Sequence, residues 1–255
     1  MRNRMVFVAV LALCACATSE PTNRVVPKGE PPNLGILKIQ LTDYKNSGAY
    51  DRDVALVIGQ AQTYITKRAS EVRNPALVLD IDETSLSNWD NLSVNDFGFF
   101  PDGPCFLDKD ERAKAPCGFT AWIALEKATP LDPTLQLFRA AKAANVAVFF
   151  ISSRTDEKST RNNLEKTGFK GFTDLFLRSQ SPNHRVSAGR EDCEKALGVD
   201  GDERSIQSFK TKRRAIIQCM GYTIIANIGD QYSDLDGGGA ERTFKLPNPF
   251  YFIPP

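Results

Sequence analysis

The sequence predicts an α/β fold: a doubly wound, Rossmann-like parallel sheet with helices on both faces and a small helical and loop lid. Three observations carry this. Pro75 opens the apolar run Ala76-Leu77-Val78-Leu79, which does not alternate with polar residues and so reads as a parallel strand buried on both faces. Downstream, segments with helical spacing are followed by β-branched and aromatic runs, the order expected of βα units. The predicted strands end in acids or hydroxyls, at the edge where open α/β sheets bind ligands.

Composition describes an ordinary folded domain. The 255 residues are 42% hydrophobic and 25% charged, enough for one large domain or a domain with an insertion. A net charge of +1 gives no reason to expect a nucleic-acid polymer as partner. The amino terminus departs from this average. Arg2 and Arg4 precede an apolar run from Met5 to Leu13, too short for a membrane span and the right size for a signal-peptide core. Leu13-Cys14-Ala15-Cys16 then resembles the lipobox of bacterial lipoproteins, with Cys16 as the lipidated residue. Residues 1–16 therefore read as a lipoprotein signal peptide. Ala17 after the cysteine resembles the pattern of lipoproteins sent to the outer membrane. Residues 17–33, with Pro21, Pro27, Gly29, Pro31 and Pro32, read as a flexible tether. The expected location is the outer membrane or the periplasmic face of a Gram-negative envelope, with the membrane as partner through the anchor.

Residues 34–255 read as the folded domain. Within 34–72, Val54, Val57, Ile58, Ala61 and Ile65 recur at helical spacing. Cys105, Cys117, Cys193 and Cys219 are an even set in a chain that reads as exported. Three connectivities are open to them, and nearness in sequence favours Cys105 with Cys117 and Cys193 with Cys219. The one histidine, His184, lies among polar residues and reads as solvated surface.

The catalytic candidates sit at strand ends. Side chains two apart on a strand point the same way, so Asp80 and Asp82 either repel or share a cation or proton. Residues 87–130 follow as an insertion rich in aromatics, expected to hang over the sheet edge as a lid. Trp89, nearest in sequence to Asp82, is its candidate for substrate contact. Pro133 to Ala144 reads as a helix and Val146 to Ile151 as a strand ending in Ser152-Ser153-Arg154, whose hydroxyls and turn can donate to an anion. Glu157 to Thr167 reads as a helix stopped by Gly168, and Phe172 to Leu177 as a strand. Residues 179–205 are polar and read as a long exposed excursion. Ser208-Phe209-Lys210-Thr211-Lys212-Arg213-Arg214 is expected to open a helix with cations against its dipole, a local conflict that points to a bound anion. Tyr222 to Ile228 is the next strand, and it delivers Gly229-Asp230, then Asp234. Asp80 and Asp230 suit a hard divalent cation. A calcium loop through Asp230, Asp234 and Asp236 does not fit, because a strand precedes it and the expected glutamate is missing.

Asp80-Ile81-Asp82-Glu83-Thr84, Ser152, Lys210, and Gly229-Asp230 with Asp234 resemble, in order, the four motifs of the haloacid dehalogenase (HAD) superfamily of phosphotransferases. Gly229-Asp230-Gln231-Tyr232-Ser233-Asp234-Leu235 and the tail Phe244-Lys245-Leu246-Pro247-Asn248-Pro249-Phe250 are similar to the acid phosphatases that include bacterial lipoprotein e and the plant vegetative storage proteins. The polar stretch from Gly189 to Glu203 matches no family feature, and Lys212 competes with Lys210 for the third motif. The resemblance implies an HAD-like fold and an acid phosphatase acting on small phosphomonoesters, 5′-nucleotides among them. It implies Asp80 as nucleophile and Asp82 as a general acid and base that starts protonated. It implies Mg2+ held by Asp80, the backbone carbonyl of Asp82, Asp230 and Asp234, the last through metal-bound water. Ser152, Ser153 and Lys210 would cradle phosphate, and Thr84 would hold the loop that aims Asp82. A homodimer is compatible with this reading. The competing reading is a storage-type or binding lipoprotein with the same fold and little turnover.

Overall fold

The computed structural model describes residues 29–107, 116–178, 187–198 and 205–254. The predicted signal peptide with Cys16, residues 17–28 of the predicted tether, and His184 lie outside the described residues. The domain begins with α1 (Leu34–Asn46) and α2 (Ala49–Arg68), then β1 (Pro75–Leu79), β2 (Leu86–Ser87), α3 (Trp89–Val94), α4 (Phe119–Leu125) and β3 (Thr129–Pro130). It continues through α5 (Asp132–Ala143), β4 (Ala147–Ser152), α6 (Glu157–Lys166), β5 (Asp174–Leu177), α7 (Arg190–Ala196) and α8 (Ile206–Cys219), and closes with β6 (Thr223–Gly229), α9 (Tyr232–Leu235) and β7 (Thr243–Lys245).

Five parallel strands form one sheet in the order β5-β4-β1-β6-β7. The alternation along β1 explains why helices cover both faces. Leu77 and Leu79 join the core beneath α2 and α5, whereas Ala76 and Val78 join a second core with Phe209, Ile216 and Ile217 of α8. Full burial of each large aliphatic side chain contributes about 1.5–3 kcal/mol. The winding runs from β1 to β4 and β5 on one side, then crosses to β6 and β7 on the other. That reversal makes β1 and β6 neighbours at the switch point, with Leu79 paired to Ile228.

Local chemistry sets the helix starts. Asp156 caps α6 by accepting from the backbone N–H of Ser159 at 3.0 Å, and Gly168 at φ 106° ends the segment after it. Ser205 caps α8 by accepting from the N–H of Ser208 at 3.1 Å. This cap corrects the reading of the basic run. The first turn, Ile206 to Phe209, carries no charge, and Lys210 to Arg214 lie one turn further in. The expected conflict with the helix dipole is therefore relieved, and the cations answer to tertiary partners instead.

The insertion enters and leaves through a small antiparallel ribbon, Leu86 paired with Pro130 and Ser87 with Thr129. Cys105 is bonded to Cys117 within it, and Cys193 to Cys219 ties α7 to the end of α8. Two disulfides fit an exported protein. The stretch expected as an exposed excursion holds α7, whose Arg190 is buried. Arg190 donates to Asp174 at 3.1 Å and to Glu194 at 2.8 Å, and its guanidinium lies 3.9 Å from the Phe176 ring centroid. Polar composition concealed this because the buried member is an arginine. Removing one partner of a buried ion pair costs about 3–5 kcal/mol. Arg190→Ala is expected to lower stability by that amount in urea unfolding with disulfides intact, and a loss below about 1 kcal/mol would contradict a buried pair.

Candidate active site

The site is built on the ends of β1 and β6. Asp80 still donates its backbone N–H to the Ile228 carbonyl at 3.0 Å, so it is the last residue tied to the sheet. The chain then knots. The N–H groups of Ser85 and Leu86 converge on the Ile81 carbonyl at 2.9 and 2.8 Å, and the Ser85 hydroxyl donates to the Asp80 carbonyl at 2.7 Å. Glu83 takes φ 50°, a left-handed conformation that is uncommon for a residue with a Cβ. Strand alternation therefore stops at Asp80. The two acids do not share one partner: Asp80 faces Lys210, and Asp82 faces Arg154.

Asp80 accepts from the Lys210 ammonium at 2.5 Å, and the same ammonium donates to Asp234. One oxygen each of Asp80, Asp230 and Asp234 lies within 4.8 Å of the others, all three residues being buried. The single charge of Lys210 offsets one of the three. Burial raises the Asp80 pKa well above the usual carboxylate range; Lys210 opposes the rise, while Asp234, Asp230 and Asp82 add to it. Burial and then the Asp234 charge push Asp230 up to about 6, against hydrogen bonds from Asn248 and Gln231 and the charge of Lys210. Burial disfavours the Lys210 ammonium, yet Asp234 and Asp80 outweigh that and raise its pKa. Three buried carboxylates, all oxygen donors, form a set suited to a hard divalent cation.

Several side chains aim this cluster. Thr84 donates to Asp230 Oδ1 at 3.0 Å, and Gln231 and Asn248 donate to Oδ2 at 2.8 and 2.7 Å. Asp234 accepts from the Gln231 N–H at 2.8 Å in a capping box at the start of α9. Gly229 is required beside it, since a Cβ there would lie 2.4 Å from the Asp234 Cβ. Arg214 and Asn227 hold the Asp234 carbonyl at 2.6 and 2.9 Å. The choice between Lys210 and Lys212 thus falls to Lys210, which bridges two carboxylates from the buried face of α8, while Lys212 is half-buried.

Asp82 stands apart from the cluster. Arg154 donates to its Oδ1 from Nη2 at 2.6 Å and from Nε at 3.1 Å, and reaches Oδ2 from Nε at 3.2 Å; Asn88 adds a bond to Oδ1 at 2.8 Å. Burial would raise the Asp82 pKa, but the charge and hydrogen bonds of Arg154, then Asn88, bring it below the ordinary value. This corrects the expectation that Asp82 rests protonated. Its neighbour Glu83 is pushed up to about 8, by burial first and the Asp82 charge second, and accepts from Tyr251 and the Asn88 N–H at 2.8 and 2.6 Å.

Ser152 is buried at the end of β4 and accepts from the Arg154 N–H at 3.2 Å. Ser153 and Asp82 line a cavity of about 360 Å³, whose walls include Phe97, Phe99, Phe119, Tyr251 and Phe252. Trp89 is not among the residues lining that cavity. Its ring packs on Phe97 and Phe250, with centroids 6.0 and 5.5 Å apart, so it belongs to the margin of the main core. Nearness in sequence to Asp82 does not bring Trp89 to the cavity wall, because its ring is taken up by Phe97 and Phe250. Asn88, Arg154, Gln231, Asn248 and Tyr251 received no role in the sequence reading. The usable signals were Arg154, placed directly after the Ser152-Ser153 pair, and Gln231 and Asn248, which stand within the stretches similar to the acid phosphatases.

Residues 32–254 match the model of the HAD superfamily, subfamily IIIB (acid phosphatase). The Stem 28 kDa glycoprotein of Glycine max is 30% identical over 216 residues, 83% of this chain and 72% of that protein. Acid phosphatase 1 of Solanum lycopersicum is 29% identical over 179 residues, 69% of this chain and 58% of that protein. The class C acid phosphatase from Bacillus anthracis shares the fold, with a TM-score of 0.56 at 18% identity over 86% of each chain. The chain therefore belongs to subfamily IIIB of the HAD superfamily, the acid phosphatases, and is a phosphomonoester hydrolase.

Proposed function

We propose that this protein is an exported, lipid-anchored acid phosphatase that hydrolyses small phosphomonoesters through an aspartyl-phosphate on Asp80. The observation that carries the reading is the position of Asp80: a buried carboxylate at the switch point, held by Lys210 and flanked by Asp230 and Asp234. Asp80, Asp230 and Asp234 would hold Mg2+, with the Asp82 backbone carbonyl completing the protein's share. When bound, the ion neutralises charge on the phosphoryl oxygens.

The chain's own residues supply the remainder. Lys210, Ser152 and Ser153 receive the phosphoryl oxygens, so that Asp80 attacks a group held in line. Asp82, charged beside Arg154, is a base facing the cavity. A phosphomonoester below about pH 6 is a monoanion that carries its own proton. Asp82 takes that proton and passes it to the ester oxygen as the leaving group departs, then draws a proton from the water that attacks the aspartyl-phosphate. This order supports an acidic working range without a protonated resting Asp82. The aromatic walls beside Asp82 suit a flat leaving group, 5′-nucleotides included.

The storage-type reading has a specific weakness. A protein kept for its mass alone needs neither a buried excess of carboxylates nor the capping box and glycine that aim them. Cys16 would carry the anchor, the residues after it would be the tether, and the outer membrane of a Gram-negative envelope is the proposed location.

Asp80→Asn is expected to lower kcat for p-nitrophenyl phosphate by at least about 10³-fold while the thermal melting temperature moves by only a few degrees. Chelation with EDTA should abolish wild-type turnover and added Mg2+ restore it; equal rates for the two proteins would exclude the mechanism. Labelled palmitate should enter the full-length protein and be absent from Cys16→Ser. Equal labelling would rule out the anchor.

A further inference from the structure

Asn88 is the amino-terminal cap of α3, a position where asparagine ordinarily bonds the first turn of its own helix. Here the side chain makes no capping bond. It is 2% exposed and turned inward, where its amide is fully used. Nδ2 donates to Asp82 Oδ1 at 2.8 Å and to Glu83 Oε2 at 3.1 Å. Oδ1 accepts from the Trp122 indole N–H at 2.8 Å and from Arg154 Nη2 at 3.4 Å. Two donors and two acceptor directions are the whole capacity of a carboxamide. The reversed amide would set its oxygen against two carboxylates and its NH2 against an indole N–H and a guanidinium, so the orientation is dictated by its partners. The Asn88 backbone N–H, donating to Glu83 Oε1 at 2.6 Å, fixes the residue from a third side.

Two of these partners reach the cavity walls. Trp122 lies on α4, the helix that carries Phe119, and Glu83 accepts from Tyr251. Asn88 is thus the joint between the walls that would surround a leaving group and the carboxylate that would handle its proton. We propose that Asn88 is the positioning residue of the leaving-group step, holding Asp82 where it delivers the proton to the departing oxygen. This rests on the acid–base role assigned to Asp82 above. In that step the phosphorus–ester oxygen bond breaks with its electron pair moving to the oxygen, and a bond from Asp80 to phosphorus forms. The oxygen takes from Asp82 the proton that the monoanionic phosphate brought, leaving an alcohol, an aspartyl-phosphate and the Asp82 carboxylate.

The test uses the dependence on leaving group, which a merely structural residue does not change. Dinitrophenolate leaves without a proton, whereas an alkoxide requires one. With full-length enzyme and Mg2+, kcat/KM is measured on 2,4-dinitrophenyl phosphate and on an alkyl phosphate such as glycerol 2-phosphate. Asn88→Ala is expected to lose at least about 10-fold more on the alkyl ester, a part of the 10²–10⁴-fold that general acid–base catalysis supplies. Should that variant not fold, Asn88→Asp keeps the shape and the oxygen facing Trp122 while replacing the donor toward Asp82, and carries the same expectation. Equal losses on both esters, or none on either, would overturn the proposal. Asp82→Asn separates the two levels. If Asp82→Asn itself shows no leaving-group dependence, the underlying reading fails; if it does and the Asn88 variants do not, only the role of Asn88 fails.

Discussion

Three carboxylates brought together away from water repel one another, and the architecture around the end of the sheet exists to hold them there. At an effective dielectric near 20, two unit charges about 4 Å apart interact by about 4 kcal/mol, comparable to a large share of a domain's net stability. Lys210 neutralises part of this by bridging Asp80 and Asp234. The rest is contained by hydrogen bonds to the carboxylate oxygens, from Thr84, Gln231 and Asn248 to Asp230 and from the Gln231 N–H to Asp234. Gly229 permits the close approach of Asp234 to β6, and Arg214 clamps the loop behind it. A divalent cation placed among these oxygens turns the repulsion into the binding energy of the site.

The second acid is governed by different physics. Asp80 belongs to the sheet edge, where the backbone is still laddered, and its position is as rigid as β1 and β6. Asp82 belongs to the knot that follows, and its carboxylate is set by Arg154 from the end of β4 and by Asn88 from the start of α3. Two carboxylates two residues apart are thereby given separate cations and separate environments. Their pKa values move in opposite directions, up for Asp80 and down for Asp82, the pattern expected where two like groups take unequal roles. The carboxyl-terminal tail enters the same arrangement, with Tyr251 on Glu83 and the Ile253 N–H on the Gln231 side chain.

Much of this could be read from sequence because buried parallel strands announce themselves. Pro75 to Leu79, Ala147 to Ser152 and Thr223 to Gly229 are near-continuous apolar runs, and each is followed at once by its polar residues. Their position at the ends of predicted parallel strands therefore placed Asp80, Ser152 and Asp230 on one edge. The rest was hidden for identifiable reasons. The cap of α8 lies three residues before Ser208, so the basic run seemed to open a helix that had already begun. Arg190 gives a polar stretch a buried anchor that no hydrophobic pattern reports. Trp89 is aromatic and close in sequence to Asp82, yet its ring is engaged by Phe97 and Phe250 and does not line the cavity. Asn88 and Glu83 act through contacts that close only once the knot after Asp80 has formed.

The central claim is that Asp80 becomes covalently phosphorylated, and the most direct measurement is chemical identification of the intermediate. Enzyme mixed with Mg2+ and excess phosphomonoester is quenched in acid during turnover, reduced with borohydride, digested and examined by peptide mass spectrometry. An acyl phosphate on Asp80 predicts reduction of that side chain to homoserine in the peptide spanning Pro75 to Asn88, in the quenched sample and not in enzyme without substrate. Phosphate recovered on any other residue, or an unmodified Asp80 under conditions where turnover is verified and phosphoenzyme accumulates, would contradict it.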